Sequence, residues 1–215
     1  LGQGHGEDVV AMETPLLWLA STSPRRRALL AAAGIPFGLC EPGPEYLVGE
    51  AGEYETQAGE PKQLALRRAQ RKGAGAQVAD PAGPVLAVDT VVDLDGRELG
   101  KPRDRAHAER MLTQLLGREH WVHTAHSLHC LATGFVAQRL DSARVACGQP
   151  DPASFRRYLD SGDWRGKAGS YGVQDAAQGF FRVVDGSFDT VVGLHVPAVR
   201  WLLAQLPRAP QVGPG

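Results

Sequence analysis

The segment VLAVDTVVDLDG, residues 85–96, constrains the fold more than any other. Its run of β-branched and aliphatic residues predicts a strand, and Asp95-Gly96 is a strong hairpin signal that turns the chain back. Asp89 stands inside this apolar run. A lone buried carboxylate is costly, so a buried Asp89 must be paired, hydrogen-bonded or metal-bound. The other reading is a half-exposed strand with Asp89 facing outward. Asp93 and Asp95 share its side-chain parity but lie near the turn, where solvation is expected.

Helices and strands alternate around this segment. Residues 16–20 read as a short buried strand. LASTSPRRRALL, residues 19–30, then passes into a helix over about Pro24–Ala33, with Ser23 at the N-cap, Pro24 at the first helical position and Gly34 at the C-terminal cap. Residues 35–60, rich in Gly, Pro and Glu, read as irregular. Residues 61–79 carry Leu64, Ala65, Arg68, Ala69 and Lys72 at helical spacing, and a third helix runs from about Asp104 to Leu116. Two strands around a turn near Gly134 fill residues 120–147, and a short helix follows at 152–160. FFRVVDG and SFDTVVG, within residues 180–193, read as a hairpin pair, before a last helix over about Pro197–Leu206. Strands, helices and hairpins interleaved in this way predict an α/β protein with a mixed sheet. One domain is expected over residues 15–207, with a disordered or leftover extension at 1–14 and a flexible tail at 208–215.

The strand-to-helix passage at Ser21-Thr22-Ser23-Pro24-Arg25-Arg26 is suited to an anion. A helix start offers unpaired N–H groups and a partial positive charge, hydroxyls add donors, and arginines grip phosphate oxygens in a fork. A capped helix with surface arginines is the plainer reading. Lys101, between Gly100 and Pro102, can project as a point charge. In KAGSYGVQ, residues 167–174, small residues admit a close backbone approach, Tyr171 can stack or hydrogen-bond, and Gln174 offers both donor and acceptor. His120, His123, His126 and His129 recur at a three-residue step with Cys130 beside them. A helix would gather them into a zinc site, but the segment reads as strand, where that step alternates faces.

Twenty-three basic and twenty-four acidic side chains nearly cancel, which argues against a protein that coats nucleic acid. No run of about 18 apolar residues exists to span a membrane. The first fourteen residues lack a secretory pattern, and Met12 reads as an original start. Three widely spaced cysteines point to a reduced, cytoplasmic setting.

LASTSPRR, AVDTVV, GKP, GKAGSYGVQ and GSFDTVVGL occur in one order between Leu17 and Leu206. Together they resemble the Maf family of nucleoside triphosphate pyrophosphatases. The resemblance implies a mixed twisted sheet with flanking helices and two lobes around a cleft, often as a homodimer. It implies hydrolysis of a nucleoside triphosphate to the monophosphate and pyrophosphate with a divalent cation, Mg²⁺ or Mn²⁺. By motif, Ser21, Arg25, Arg26, Arg68, Thr90, Lys167, Tyr171 and Gln174 correspond to substrate-binding positions. Asp89 and Lys101 correspond to catalytic ones, with Asp89 and Glu45 as candidate metal ligands. Pro24-Arg25-Arg26, Asp89-Thr90, Lys167 and Gln174 side with the branch acting on dTTP and UTP, with modified pyrimidine nucleotides as further expected substrates, rather than with the 7-methyl-GTP branch. The chain departs from the family pattern at Arg68 (usually lysine), Gly166 (aspartate), Asp175 (glycine) and His195 (proline). Those departures leave a second reading, a nucleotide-binding regulator with little turnover.

Overall fold

The computed structural model describes residues 15–45, 60–81, 83–174 and 179–207. The segments at 1–14 and 208–215 and Asp175 lie outside them. In chain order the elements are β1 (Leu17–Ala20), α1 (Pro24–Ala32), β2 (Phe37–Cys40), α2 (Pro61–Ala74), β3 (Val85–Leu94), β4 (Arg97–Leu99), α3 (Arg105–Leu115), β5 (Glu119–Cys130), β6 (Phe135–Cys147), α4 (Pro152–Ser161), a 3₁₀ turn (Ala168–Ser170), β7 (Phe181–Asp185), α5 (Phe188–Val192) and α6 (Val196–Ala204).

The apolar run at 85–94 is the centre of the sheet, as its hydrophobicity on both faces requires. The strands run in the order β2-β1-β3-β5-β6-β7, with β4 folded back on β3. β1 pairs parallel with β2 and β3, and the remaining pairs are antiparallel, so the sheet is mixed as expected. Asp95, at φ 55°, and Gly96, at φ 79°, make the predicted turn with both residues left-handed.

Helices cover both faces. Leu30 of α1 and Val199 and Leu202 of α6 pack on Leu19, Leu86, Val88 and Leu128. On the opposite face Ala65 and Ala69 of α2 meet Val91 and Ala125. A further cluster joins Val92, Leu99 and Val122 to Leu112 of α3 and Tyr158 of α4. The first and last of these clusters share β3 and β5, and the candidate site lies between them.

Three expectations are corrected. Phe37–Cys40, inside the stretch read as irregular, is an edge strand paired in register with β1. It is only four residues long and contains a glycine, so little local signal marks it. Gly38 is there because a Cβ would lie 2.4 Å from the Trp18 ring. SFDTVVG is not a strand. Its residues 188–192 form α5, where the Ser187 hydroxyl accepts from the Asp189 N–H and Gly193 closes the helix at φ 117°. Serine N-cap and glycine C-cap override the β preference of Thr190, Val191 and Val192. The helix expected over 61–79 also stops earlier, at Ala74.

Candidate active site

The site begins with a gap in hydrogen bonding along β3. One edge of β3 pairs with β1 over Val85–Ala87 and with β4 over Val92–Leu94. Between them, residues 88–91 have no strand neighbour on that edge among the described residues, while the other edge stays paired to β5. A cleft of about 470 Å³ opens at this gap, with Asp89 and Thr90 at its base. Its walls carry Arg25, Arg26, Arg68, Lys72, Lys101, Arg165 and Lys167 against Glu45, Asp89 and Glu98. That excess of cations suits a polyanion.

The α1 start forms one wall. Ser23 occupies the N-cap position, but its side chain makes no capping hydrogen bond, so the first-turn N–H groups of Arg25 and Arg26 remain for a ligand. Ser21 is buried, and its Oγ accepts from the Ser23 N–H and from Arg26, both at 3.2 Å. Arg26 donates through Nε to the Gly193 carbonyl at 2.8 Å and through its other terminal nitrogen to Thr90 Oγ1 at 3.2 Å. A guanidinium has five N–H donors, so one on each terminal nitrogen is left as a fork for phosphate. Burial pulls Arg26 below its usual pKa, opposed by Asp89 and Glu45; a guanidinium stays charged nonetheless. Arg25 lines the same wall and makes no ion pair among the described residues.

Thr90 and Asp89 point to opposite faces of β3. Thr124 Oγ1 donates to the Thr190 carbonyl at 2.7 Å, so at its 3.0 Å contact with Thr90 it must accept. Thr90 therefore serves as a relay that holds Arg26 from beneath.

Asp89 is 3% exposed, which decides between the two readings of it in favour of a paired, buried carboxylate. Oδ1 accepts from Lys72 Nζ at 2.6 Å, and Oδ2 has no hydrogen-bond partner among the described residues. Burial raises the Asp89 pKa; Lys72 is the largest opposing influence and Glu45 adds to the rise. Glu45 Oε2 lies 3.2 Å from Lys72 and 3.7 Å from Lys101, so both carboxylates converge on one ammonium.

Lys72, the partner of Asp89, belongs to none of the sequence motifs. Its signal was present: Ala65, Arg68, Ala69 and Lys72 share the inward face of α2, and a cation there needs an anion as a buried aspartate needs a cation. Arg68, one turn earlier, instead pairs through both terminal nitrogens with both oxygens of Glu98. The positive charge expected from α2 thus reaches Asp89 from Lys72, and Arg68 is matched by a partner on β4 that was also overlooked.

Lys101, Lys167 and Gln174 also line the cleft. The Gly169 N–H donates to the Gly100 carbonyl at 3.0 Å, tying the two loops together. Gly169 has φ 65°, and a Cβ would press on Val92 at 3.1 Å; the close approach served by this glycine is to the sheet, not to a ligand. Gly166 also has a left-handed φ, 68°, where an aspartate would be strained.

Tyr171 lines the cleft, but its hydroxyl is engaged by His120. Its hydroxyl lies 2.6 Å from His120 Nε2, and its ring stacks on Phe181 with centroids 3.8 Å apart. Burial holds the phenol well above its usual pKa and lowers His120 to about 4. Tyr171→Phe should therefore leave nucleotide KM unchanged while costing about 1–2 kcal/mol of stability through the unpaired imidazole. Thermal melts with parallel kinetics check this, and a large rise in KM would put the hydroxyl in the cleft.

The four histidines alternate faces along β5 as expected, and among the described residues no three His, Cys, Asp or Glu side chains gather as metal ligands. Asp93 is not solvated as expected: it lies 3.1 Å from His123 Nε2, and His123 Nδ1 lies 2.8 Å from Ser142 Oγ.

A mixed α/β sheet with a cation-lined cleft over a buried, lysine-paired carboxylate defines a phosphate-binding protein equipped for acid–base chemistry. Residues 16–206 match the family described as Maf-like protein, and the chain belongs to that family. It is similar to the dTTP/UTP pyrophosphatase of Bordetella parapertussis, 42% identical over 193 residues covering 86% of this chain and 89% of that protein. It is also similar to the dTTP/UTP pyrophosphatase of Thermus thermophilus, 41% identical over 189 residues covering 88% and 94%. The corresponding protein of Latilactobacillus sakei is 37% identical over 185 residues, covering 86% and 97%.

Proposed function

We propose that this protein hydrolyses dTTP and UTP between the α and β phosphates, releasing the nucleoside monophosphate and pyrophosphate. One observation carries the reading: Asp89 holds one oxygen on Lys72 and the other without a partner among the described residues, at the base of a cleft whose other walls are cationic. The Arg26 fork, the α1 N–H groups, Lys101 and Lys167 bind and orient the phosphate chain. Asp89, its pKa raised by burial, takes a proton from the attacking water. Lys72 opposes that rise and favours the basic form of Asp89.

The donor set fits a divalent cation. Asp89 and Glu45 already converge on the Lys72 ammonium, and Asp89 Oδ2 has no partner among the described residues. Two carboxylates with water and phosphate oxygens completing the shell suit Mg²⁺ or Mn²⁺. Bound there, the ion would neutralise phosphate charge as a Lewis acid. The homodimer implied by the family resemblance and the cytoplasmic setting expected from the cysteines belong to the same proposal. Among the described residues no helix is long and apolar enough to cross a membrane.

A panel of dTTP, UTP, CTP, 7-methyl-GTP and modified pyrimidine triphosphates with Mg²⁺ or Mn²⁺, with products separated by chromatography, tests the proposal. Pyrophosphate and monophosphate from dTTP and UTP are expected. Orthophosphate and a diphosphate would refute cleavage at the α–β bond, and binding without product would favour the regulator.

A further inference from the structure

Arg26 owes part of its orientation to the Gly193 carbonyl, which sits on the turn between α5 and α6. At the α5 end of that turn, the Gly193 and Leu194 N–H groups donate to the Asp189 carbonyl at 2.9 and 3.0 Å. At the α6 end, the His195 N–H donates to Nε2 of His126 at 2.9 Å. This bond exists because residue 195 is not proline, which has no N–H.

His126 is completely buried and shares a face of β5 with Thr124, the residue that holds the Thr190 carbonyl. Two side chains of β5 therefore secure α5 and the turn behind it. Because Nε2 accepts, the proton of the neutral ring is on Nδ1. Nδ1 faces Asp141 Oδ2 at 3.8 Å, while Asp141 Oδ1 lies 3.0 Å from His195 Nδ1 and 3.6 Å from Arg139 Nε. Burial, with the nearby Arg26 charge, lowers His126 to about 3, which agrees with a neutral acceptor.

We propose that His126 is a positioning residue for the phosphate-gripping arginine: its Nε2 fixes the Gly193–His195 turn, and the turn's carbonyl aims the free fork of Arg26 into the cleft. The proposal rests on reading the cleft as a triphosphate site. His126 touches no substrate and acts only through the backbone it anchors.

The test uses the full chain with His126→Gln, His126→Asn and His126→Val. A glutamine oxygen reaches the position of Nε2; asparagine is too short, and valine has no acceptor. Calorimetry with inorganic tripolyphosphate reads the fork directly, and dTTP kinetics read its consequence. His126→Gln should bind within about twofold of wild type, while His126→Asn and His126→Val should weaken binding about tenfold, with KM rising more than kcat falls. In an Arg26→Ala background His126→Val should add nothing. Equal affinity in all three variants would overturn the proposal, as would a glutamine variant as defective as valine, because the loss would then follow ring packing. If circular dichroism shows His126→Val misfolded, the glutamine–asparagine pair and an Arg26→Ala/His126→Asn double variant decide. Should the wild type bind tripolyphosphate yet release nothing from dTTP or UTP, the proposed activity falls and the positioning role stands on the binding data.

Discussion

Asp89→Asn is expected to lower kcat about 10³-fold, the range for loss of a general base, with the fold intact. Asparagine keeps the shape and still accepts from Lys72, but it cannot take a proton from water. The pH behaviour is the sharper measurement. Burial raises the Asp89 pKa despite Lys72 and Arg26, so the acid limb of the wild-type kcat/KM profile should lie above the usual carboxylate value of about 4. Stability has the opposite slope. A carboxyl that binds its proton more tightly when folded contributes fully at pH below its unfolded pKa. It loses that contribution as pH rises toward the folded pKa. Wild type should therefore lose stability relative to Asp89→Asn across that window and hold a constant difference above it. Melting temperatures of both proteins from pH 4 upward check this; a difference that does not move with pH would place a normal carboxyl at position 89.

Lys72→Met is expected to have the second largest effect and to act on both rate and stability. Lys72 is the strongest influence holding Asp89 ionised, so its removal should move the acid limb to higher pH. At neutral pH the rate should fall about 10²-fold and recover in part as pH rises. Removing one partner of a buried pair costs about 3–5 kcal/mol when the other stays charged, and uptake of a proton by Asp89 reduces that cost toward acid pH. The stability gap from wild type should accordingly widen as pH rises. Lys101→Met makes the contrast, because Lys101 is 56% exposed and 3.7 Å from Glu45. It should melt like wild type, since exposed pairs contribute little. An unmoved acid limb in Lys72→Met would remove the assigned role of the Lys72–Asp89 pair.

The central strand, its Asp-Gly turn and the long helices were legible because each carries its own periodicity and end signals within a dozen residues. The β2 strand was not, because Phe37–Cys40 becomes a strand only by lying along β1 with Gly38 under Trp18. Nor was α5, where one serine and one glycine outweigh three β-formers. In the site, Ser21, Arg26, Asp89 and Lys101 could be named from their motifs. Lys72 as the partner of Asp89, and the Gly193 carbonyl as the anchor of Arg26, could not. Lys72 is 17 residues from Asp89, and Gly193 is 167 from Arg26, so no local pattern relates them.

By itself the sequence determined that a carboxylate would stand inside the central strand and that a helix start rich in hydroxyls and arginines would follow the first one. Both are consequences of side-chain chemistry and short-range backbone preference. Only the tertiary structure decided which cation meets which anion: Lys72 with Asp89, Arg68 with Glu98, and Arg26 with a carbonyl that β5 secures through Thr124 and His126. Charge pairing in a dry interior depends on ångström distances between elements, and those distances are set by how α2 and the α5–α6 turn pack against the sheet.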